Sequence, residues 1–229
     1  MTLVLRYETL KQRFLDLDDF PPEFLETSRH LFDLNKNQIV PKRFEVWTTL
    51  VGLPLPEALT ARFESVFDQI IQLLPNSTRF YRVRPQNYHW ELFIIKRPEE
   101  AVDESLLVQT TEVLAKILNN YQPFIISYRG FLITPDGTII VKGYGEFDRL
   151  REQLRQQIPW ASPQQSNLGH ISLGRILDPV GEACFRELKR LLQTSENENY
   201  GKLNIDRVKY VRESQWYMET KEVISTYNI

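Results

Sequence analysis

Two short stretches of sequence, YHWEL at residues 88–92 and GHISLGR at residues 169–175, decide the predicted fold. Each places a histidine, His89 or His170, in a segment of apolar and β-branched residues that is typical of a β-strand. The chain of 229 residues contains 3 histidines, and these two occupy equivalent positions in its two halves. The repetition predicts one domain with an internal duplication.

A polar residue follows each of these histidines at the second position. Glu91 follows His89, and Ser172 follows His170. Since alternate side chains of a strand point to the same face, each histidine and its polar neighbour are expected on one face. A single histidine in a strand is usually structural, but two in matched contexts favour a functional site.

The remaining sequence mixes helical and strand patterns. Apolar residues recur at helical spacing near residues 1–20, 21–34, 56–74, 100–119, 147–158 and 179–193. Strand patterns occupy residues 42–54, 78–95, 124–133, 138–145, 168–177, 208–213 and 215–223. Pro135, Asp136 and Gly137 predict a hairpin turn between two of these strands. Antiparallel hairpins without strict alternation of strand and helix indicate the α+β class.

Composition limits the function classes. The 28 basic and 30 acidic side chains give a net charge of −2, which argues against non-specific binding of long nucleic acid and for a short nucleotide ligand. No stretch approaches the roughly 20 apolar residues that span a bilayer, and the N-terminus lacks the apolar run of a signal peptide. The single cysteine, Cys184, suits a reducing compartment. These features predict a cytoplasmic protein without a membrane partner.

With its two motifs, the chain resembles the two-histidine (2H) phosphoesterases, which include the LigT-like RNA 2′,3′-cyclic phosphodiesterases. The family pattern is a histidine, any residue, then threonine or serine and an apolar residue, once in each of two lobes. Four stretches carry the likeness, which covers about residues 42–229: FEVWTTLVGLP, VRPQNYHWEL, GHISLGRI and QWYMETKEVISTY.

The resemblance implies a bilobal fold in which two pseudo-symmetric β-α-β lobes with antiparallel sheets surround a central cleft. Residues 1–40 would then form an N-terminal helical extension, and residues 41–229 the bilobal domain. It also implies metal-independent hydrolysis of 2′,3′-cyclic phosphate RNA ends or small cyclic nucleotides, with no cofactor. The two histidines would be the general acid and base, because the unperturbed pKa of histidine, about 6.5, permits both roles. Phosphate or substrate contacts would come from Ser172, Glu91, Arg175 and Tyr88.

Glu91 departs from the family pattern, because it stands where the first motif has a hydroxyl. The chain could therefore be a weakened or inactive member that binds RNA ends or nucleotides without turnover. Alternatively, Glu91 could be protonated and keep a hydrogen-bond donor, or it could contact a different ligand group. An ionised Glu91 would also favour a charged His89 and the acid role for that residue. The reverse chemistry, RNA 2′–5′ ligation, stays open as well.

Overall fold

The computed structural model describes residues 1–35 and 38–229, and within them it contains six α-helices and eleven β-strands. The helices are Leu3–Leu15 (α1), Pro22–Arg29 (α2), Glu57–Ile71 (α3), Glu104–Leu118 (α4), Asp148–Gln157 (α5) and Glu182–Thr194 (α6). The strands are Phe32–Asn35 (β1), Gln38–Pro41 (β2), Arg43–Gly52 (β3), Phe80–Arg82 (β4), His89–Lys96 (β5), Phe124–Ile133 (β6), Thr138–Tyr144 (β7), Ile171–Ile176 (β8), Asn199–Ile205 (β9), Arg207–Gln215 (β10) and Thr220–Asn228 (β11).

Two antiparallel sheets form the body of the molecule. The first sheet has the strand order β11-β10-β3-β5, and the second has the order β4-β8-β7-β6-β9. The halves of the chain exchange strands, since β4 joins the second sheet whereas β10 and β11 join the first. One large apolar cluster runs through both halves. The predicted α+β class with antiparallel sheets is confirmed.

The hairpin between β6 and β7 shows how local sequence sets the second sheet. Asp136 lies in the turn, where its carboxylate accepts a hydrogen bond of 3.0 Å from the Thr138 hydroxyl. Gly137 has a φ of +80°, a left-handed conformation that glycine adopts without steric cost. The turn predicted at residues 135–137 is present.

The N-terminal segment differs from its prediction. The helix expected over residues 21–34 ends at Arg29, and β1 pairs with β2 in a separate two-stranded hairpin, Phe32 opposite Pro41. The physical reason is the alternation of burial, because Phe32 is buried and Asp33 is exposed. The Phe32 ring packs against Tyr81 at a centroid distance of 4.9 Å. Residues 1–41 therefore contain a hairpin in addition to two helices. Strand β9 was also absent from the prediction.

None of the helices in the described part of the chain is both long enough and apolar enough to cross a bilayer.

Candidate functional site

The two motif histidines come from different sheets and line the same cleft. His89 is the first residue of β5 in the first sheet, and His170 directly precedes β8 in the second. The cleft between them, the central cleft, has a volume of about 370 Å³. It is lined by Leu31, His89, Glu91, Arg97, His170, Ser172, Arg175, Glu213, Trp216 and Tyr217.

Five of the six residues predicted for the site meet in this cleft, and Tyr88 does not. Tyr88 is fully buried, and its ring packs edge-on against Phe63 at a centroid distance of 6.3 Å. Neighbouring side chains on an extended backbone point in opposite directions, so Tyr88 faces the core when His89 faces the cleft. The expectation that Tyr88 contacts the ligand is therefore corrected.

His89 is held in a defined tautomer. Its Nδ1 lies 2.8 Å from the carbonyl oxygen of Asn87. A carbonyl can only accept, so Nδ1 carries the proton and Nε2 is the basic nitrogen of the neutral ring. Burial lowers the pKa of His89 despite the Asn87 carbonyl, which raises it. Burial, and not a charge on Glu91, therefore sets the direction in which the pKa of His89 moves.

His170 is the more strongly perturbed of the two. Burial, together with the charges of Arg151, His89 and Arg175, lowers the pKa of His170 to about 4. Its Nδ1 is buried and has no hydrogen-bond partner among the described residues. His170 is therefore neutral at neutral pH.

Glu91 lies between β3 and the cleft. The Thr48 hydroxyl of β3 donates a hydrogen bond of 3.1 Å to Oε1 of Glu91. Burial raises the pKa of Glu91, and this effect outweighs the opposing charge of Arg97 and the Thr48 hydrogen bond. The surroundings of Glu91 thus favour its protonated form.

A second carboxyl group of the cleft, Glu213 of β10, was missed by sequence reasoning. Its carboxyl group accepts a hydrogen bond of 2.8 Å from the backbone N–H of Met218. Burial raises the pKa of Glu213 to about 8, and the nearby Glu91 acts in the same direction. The available signal was an acidic residue two positions after Val211, on the buried face of a strand.

Arg175 lines the cleft and also forms an ion pair and a hydrogen bond with other side chains of the protein. Its Nη1 lies 2.7 Å from Oδ2 of Asp136 in the β6–β7 turn, and its Nε donates to the Tyr217 hydroxyl. Tyr217 has a φ of +63°, which is unfavourable for a non-glycine residue. Arg175 therefore holds Tyr217 in its position at the cleft.

Several solved structures have a fold similar to that of this chain. No protein-family model and no curated protein matches the sequence, whereas solved structures do. TT0787 of Thermus thermophilus superposes with a TM-score of 0.54 at 19% identity, covering 82% of this chain and 97% of its own. E. coli LigT complexed with 3′-AMP gives a TM-score of 0.50 at 14% identity, covering 82% and 99%. A crystal structure described as a phosphoesterase gives 0.51 at 13% identity, covering 81% and 98%.

The chain has the LigT-like two-histidine phosphoesterase fold. The predicted resemblance is confirmed at that level. About a fifth of this chain lies outside the shared region, whereas these three structures are covered almost completely.

Within this two-histidine fold, Arg151 of α5 joins the two motif segments, and sequence reasoning missed it. Arg151 is 4% exposed. Its Nε donates to the carbonyl of Leu92 at 2.8 Å, and its Nη2 donates to the carbonyls of Glu91 at 3.0 Å and Leu168 at 2.7 Å. The guanidinium also lies 4.5 Å from the ring centroid of Phe147. Its position one turn after Phe147, on the apolar stripe of α5, was the available signal.

Across residues 1–35 and 38–229, no group of three or more His, Cys, Asp or Glu side chains is arranged to hold a metal ion.

Proposed function

We propose that this chain is a phosphodiesterase that hydrolyses 2′,3′-cyclic phosphate ends or small cyclic nucleotides, with His89 and His170 as general acid and base. The observation that carries the proposal is that both histidines line one cleft from opposite sheets, together with Ser172. Such a pair can act on two sides of one phosphorus atom, as in-line displacement requires.

The protonation states suggest the division of roles. His170, with its pKa lowered to about 4, is neutral and suited to take the proton from the attacking water. The P–O bond to the leaving sugar oxygen then breaks, and His89 donates a proton to that oxygen. A bound phosphodiester anion would raise the pKa of a nearby imidazole and so allow His89 to carry that proton.

Ser172 and Glu91 lie two residues after the histidines of their motifs and would stabilise the phosphate oxygens. A hydroxyl such as that of Ser172 can donate a hydrogen bond to a non-bridging oxygen, where charge must be stabilised. Glu91 can do the same when protonated, since Thr48 occupies only its Oε1. The raised pKa of Glu91 therefore supports activity despite the departure from the motif.

The size of the cleft favours a small ligand. Its volume of about 370 Å³ lies at the lower end of the range for small-molecule pockets, roughly 300–1,000 Å³. The net charge of −2 lacks the basic field of proteins that bind long nucleic acid. The neighbouring LigT structure contains 3′-AMP, which supports a nucleotide ligand here.

One observation favours a second function, nucleotide binding without turnover. Glu91 replaces a hydroxyl, and in its ionised form it would repel a phosphate and remove a donor. In that case a nucleotide would bind, and no product would form.

The test is hydrolysis of a 2′,3′-cyclic mononucleotide in the presence of a chelator. Both His89→Ala and His170→Ala are expected to lower turnover by about 10²–10⁴-fold, as for loss of a general acid or base. His30→Ala is the matched control, because the third histidine has a side chain that is 73% exposed. Unchanged turnover in either motif variant would refute the pair. Calorimetric binding of the nucleotide by a wild-type chain that forms no product would establish the second function.

A further inference from the structure

The backbone that leads into His170 is held by side chains of the N-terminal helix α1. Arg6 donates from Nη1 to the carbonyl of Asn167 at 2.6 Å. The hydroxyl of Tyr7 accepts a hydrogen bond of 3.1 Å from the backbone N–H of Gly169. Two consecutive residues of α1 thus fix the segment that immediately precedes a candidate catalytic histidine.

The Tyr7 hydroxyl substitutes for backbone hydrogen bonds beyond the end of the β7–β8 pairing in the second sheet. The ladder between β7 and β8 ends with Val141 opposite Ile171, and the same register would bring Gly143 opposite Gly169. The Tyr7 hydroxyl lies between these glycines: it donates to the Gly143 carbonyl at 3.1 Å and accepts from the Gly143 N–H at 3.2 Å. One buried hydroxyl, on a residue that is 1% exposed, therefore replaces direct backbone pairing.

The backbones of Gly143 and Gly169 approach each other too closely for either residue to carry a side chain. A Cβ atom on Gly143 would lie 1.9 Å from the Gly169 carbonyl oxygen, and a Cβ on Gly169 would lie 2.7 Å from the Gly143 oxygen. Neither position can carry a side chain without displacing backbone. The backbone that leads into His170 therefore lies in close contact with Gly143, and the Tyr7 hydroxyl forms hydrogen bonds to the backbone of both glycines.

We propose that Tyr7 is a positioning residue for His170, so that helix α1 belongs to the functional unit. The inference rests on the proposed function, because positioning has a kinetic consequence only if His170 acts on substrate. Burial raises the pKa of Tyr7, so the hydroxyl keeps its proton at neutral pH and the donor to Gly143 is retained.

The experiment compares Tyr7→Phe with Tyr128→Phe. Tyr128 is an equally buried tyrosine, but its hydroxyl has no hydrogen-bond partner among the described residues. Both variants lose one hydroxyl from the core, so the comparison isolates the hydrogen bonds of the Tyr7 hydroxyl. With a 2′,3′-cyclic mononucleotide, Tyr7→Phe is expected to lower kcat by about 10-fold or more with KM within about twofold, because a displaced general base impairs the transition state more than binding. Tyr128→Phe is expected to change neither.

Equal kcat in the two variants, at a temperature well below both unfolding midpoints, would overturn the proposal. NMR of the His170 ring separates this outcome from failure of the proposed function. If the wild-type chain hydrolyses nothing, the phosphodiesterase proposal fails, yet the His170 ring signals are still expected to shift in Tyr7→Phe and to stay in place in Tyr128→Phe. Unshifted His170 signals in Tyr7→Phe would show that the hydroxyl does not position the ring.

Discussion

The hydroxyl of Thr48 lies 3.1 Å from Oε1 of Glu91 and donates a hydrogen bond to it across two neighbouring strands of the first sheet. A single hydroxyl is weak compensation for a half-buried carboxylate, and burial accordingly raises the pKa of Glu91. Burial thus shifts Glu91 toward its neutral acid form and away from an anion facing phosphate.

The raised pKa of Glu91 predicts the behaviour of Glu91→Gln. Glutamine keeps the shape, an acceptor for Thr48 and a donor toward the cleft. We expect kcat/KM at neutral pH within about threefold of the wild-type value, because one neutral hydrogen bond is exchanged for another. As pH rises, the wild-type chain should lose activity when Glu91 ionises, whereas the variant should not. Steady-state kinetics of both proteins over a series of pH values measure this difference.

Glu91→Thr is the complementary variant. A gain in turnover would identify the glutamate as a defect, and abolished turnover would give the carboxyl group a role of its own.

For the Glu91→Gln prediction, a loss of kcat/KM of about 100-fold or more, which corresponds to nearly 3 kcal/mol, would show that Glu91 does not act as a neutral hydrogen-bond donor.

His170 predicts loss of stability in acid. Its pKa is about 4 in the folded chain and about 6.5 in an unfolded one. Between these values the unfolded chain binds a proton that the folded chain excludes. The free energy of unfolding should therefore fall as pH decreases from about 6.5 to about 4, by at most about 1.4 kcal/mol per pH unit from this group.

The measurement is urea unfolding at several pH values in this window. His170→Gln should give a shallower acid slope than the wild-type chain, and the exposed control His30→Gln should leave the slope unchanged. Identical slopes in His170→Gln and wild type would show that His170 titrates normally in the fold.

Glu213 predicts a pH dependence of opposite sign. Its pKa of about 8 exceeds the unperturbed value of about 4.3, so the folded chain retains a proton that the unfolded chain releases. This contribution to stability is complete below the unfolded value and is lost as pH rises toward 8. Glu213→Gln keeps an acceptor for the Met218 N–H and should flatten the decline between these limits. Unfolding curves that decline equally in both proteins would mean that Glu213 is ionised when folded.

Local patterns predicted the parts of the site that depend on strand periodicity. The spacing of two residues placed His89 with Glu91 and His170 with Ser172, and all four line the cleft. The same periodicity argues against Tyr88, since adjacent side chains face opposite ways. Strand alternation thus accounts for these four side chains, whereas Glu213, which enters the cleft from another strand of the first sheet, was missed.

The pairing of strands that are distant in the sequence could not be predicted from strand periodicity. Strand β4 pairs with β8, and β10 lies between β3 and β11. The local sequence of a strand does not specify which distant strand it pairs with. The end of α2 at Arg29 was missed because the apolar residues Leu31 and Phe32 continue a helical pattern. Tertiary packing of the Phe32 ring decides that boundary instead.

Arg151 predicts the largest effect on stability. It supplies donors to the carbonyls of Glu91, Leu92 and Leu168, and Arg151→Met would leave these buried acceptors without their charged partner. The Leu168 carbonyl still accepts a hydrogen bond of 3.2 Å from Nε1 of Trp90. The other two carbonyls lose this donor at about 1–3 kcal/mol each, so the free energy of unfolding should fall by about 2 kcal/mol or more. Arg151→Lys should recover only part of it, because one ammonium cannot reproduce the planar fork of the guanidinium.

The control for Arg151 is Arg155→Met on the same helix. The Arg155 side chain is 53% exposed and pairs with Glu152 at 2.8 Å, and an exposed pair of this kind contributes about 0–1 kcal/mol. Urea unfolding of the three variants gives the comparison. Because Arg151 joins the segments that carry His89 and His170, its loss should also displace the two rings relative to each other. Ring signals of both histidines that stay unchanged in Arg151→Lys, together with wild-type stability, would show that the two segments hold their spacing without it.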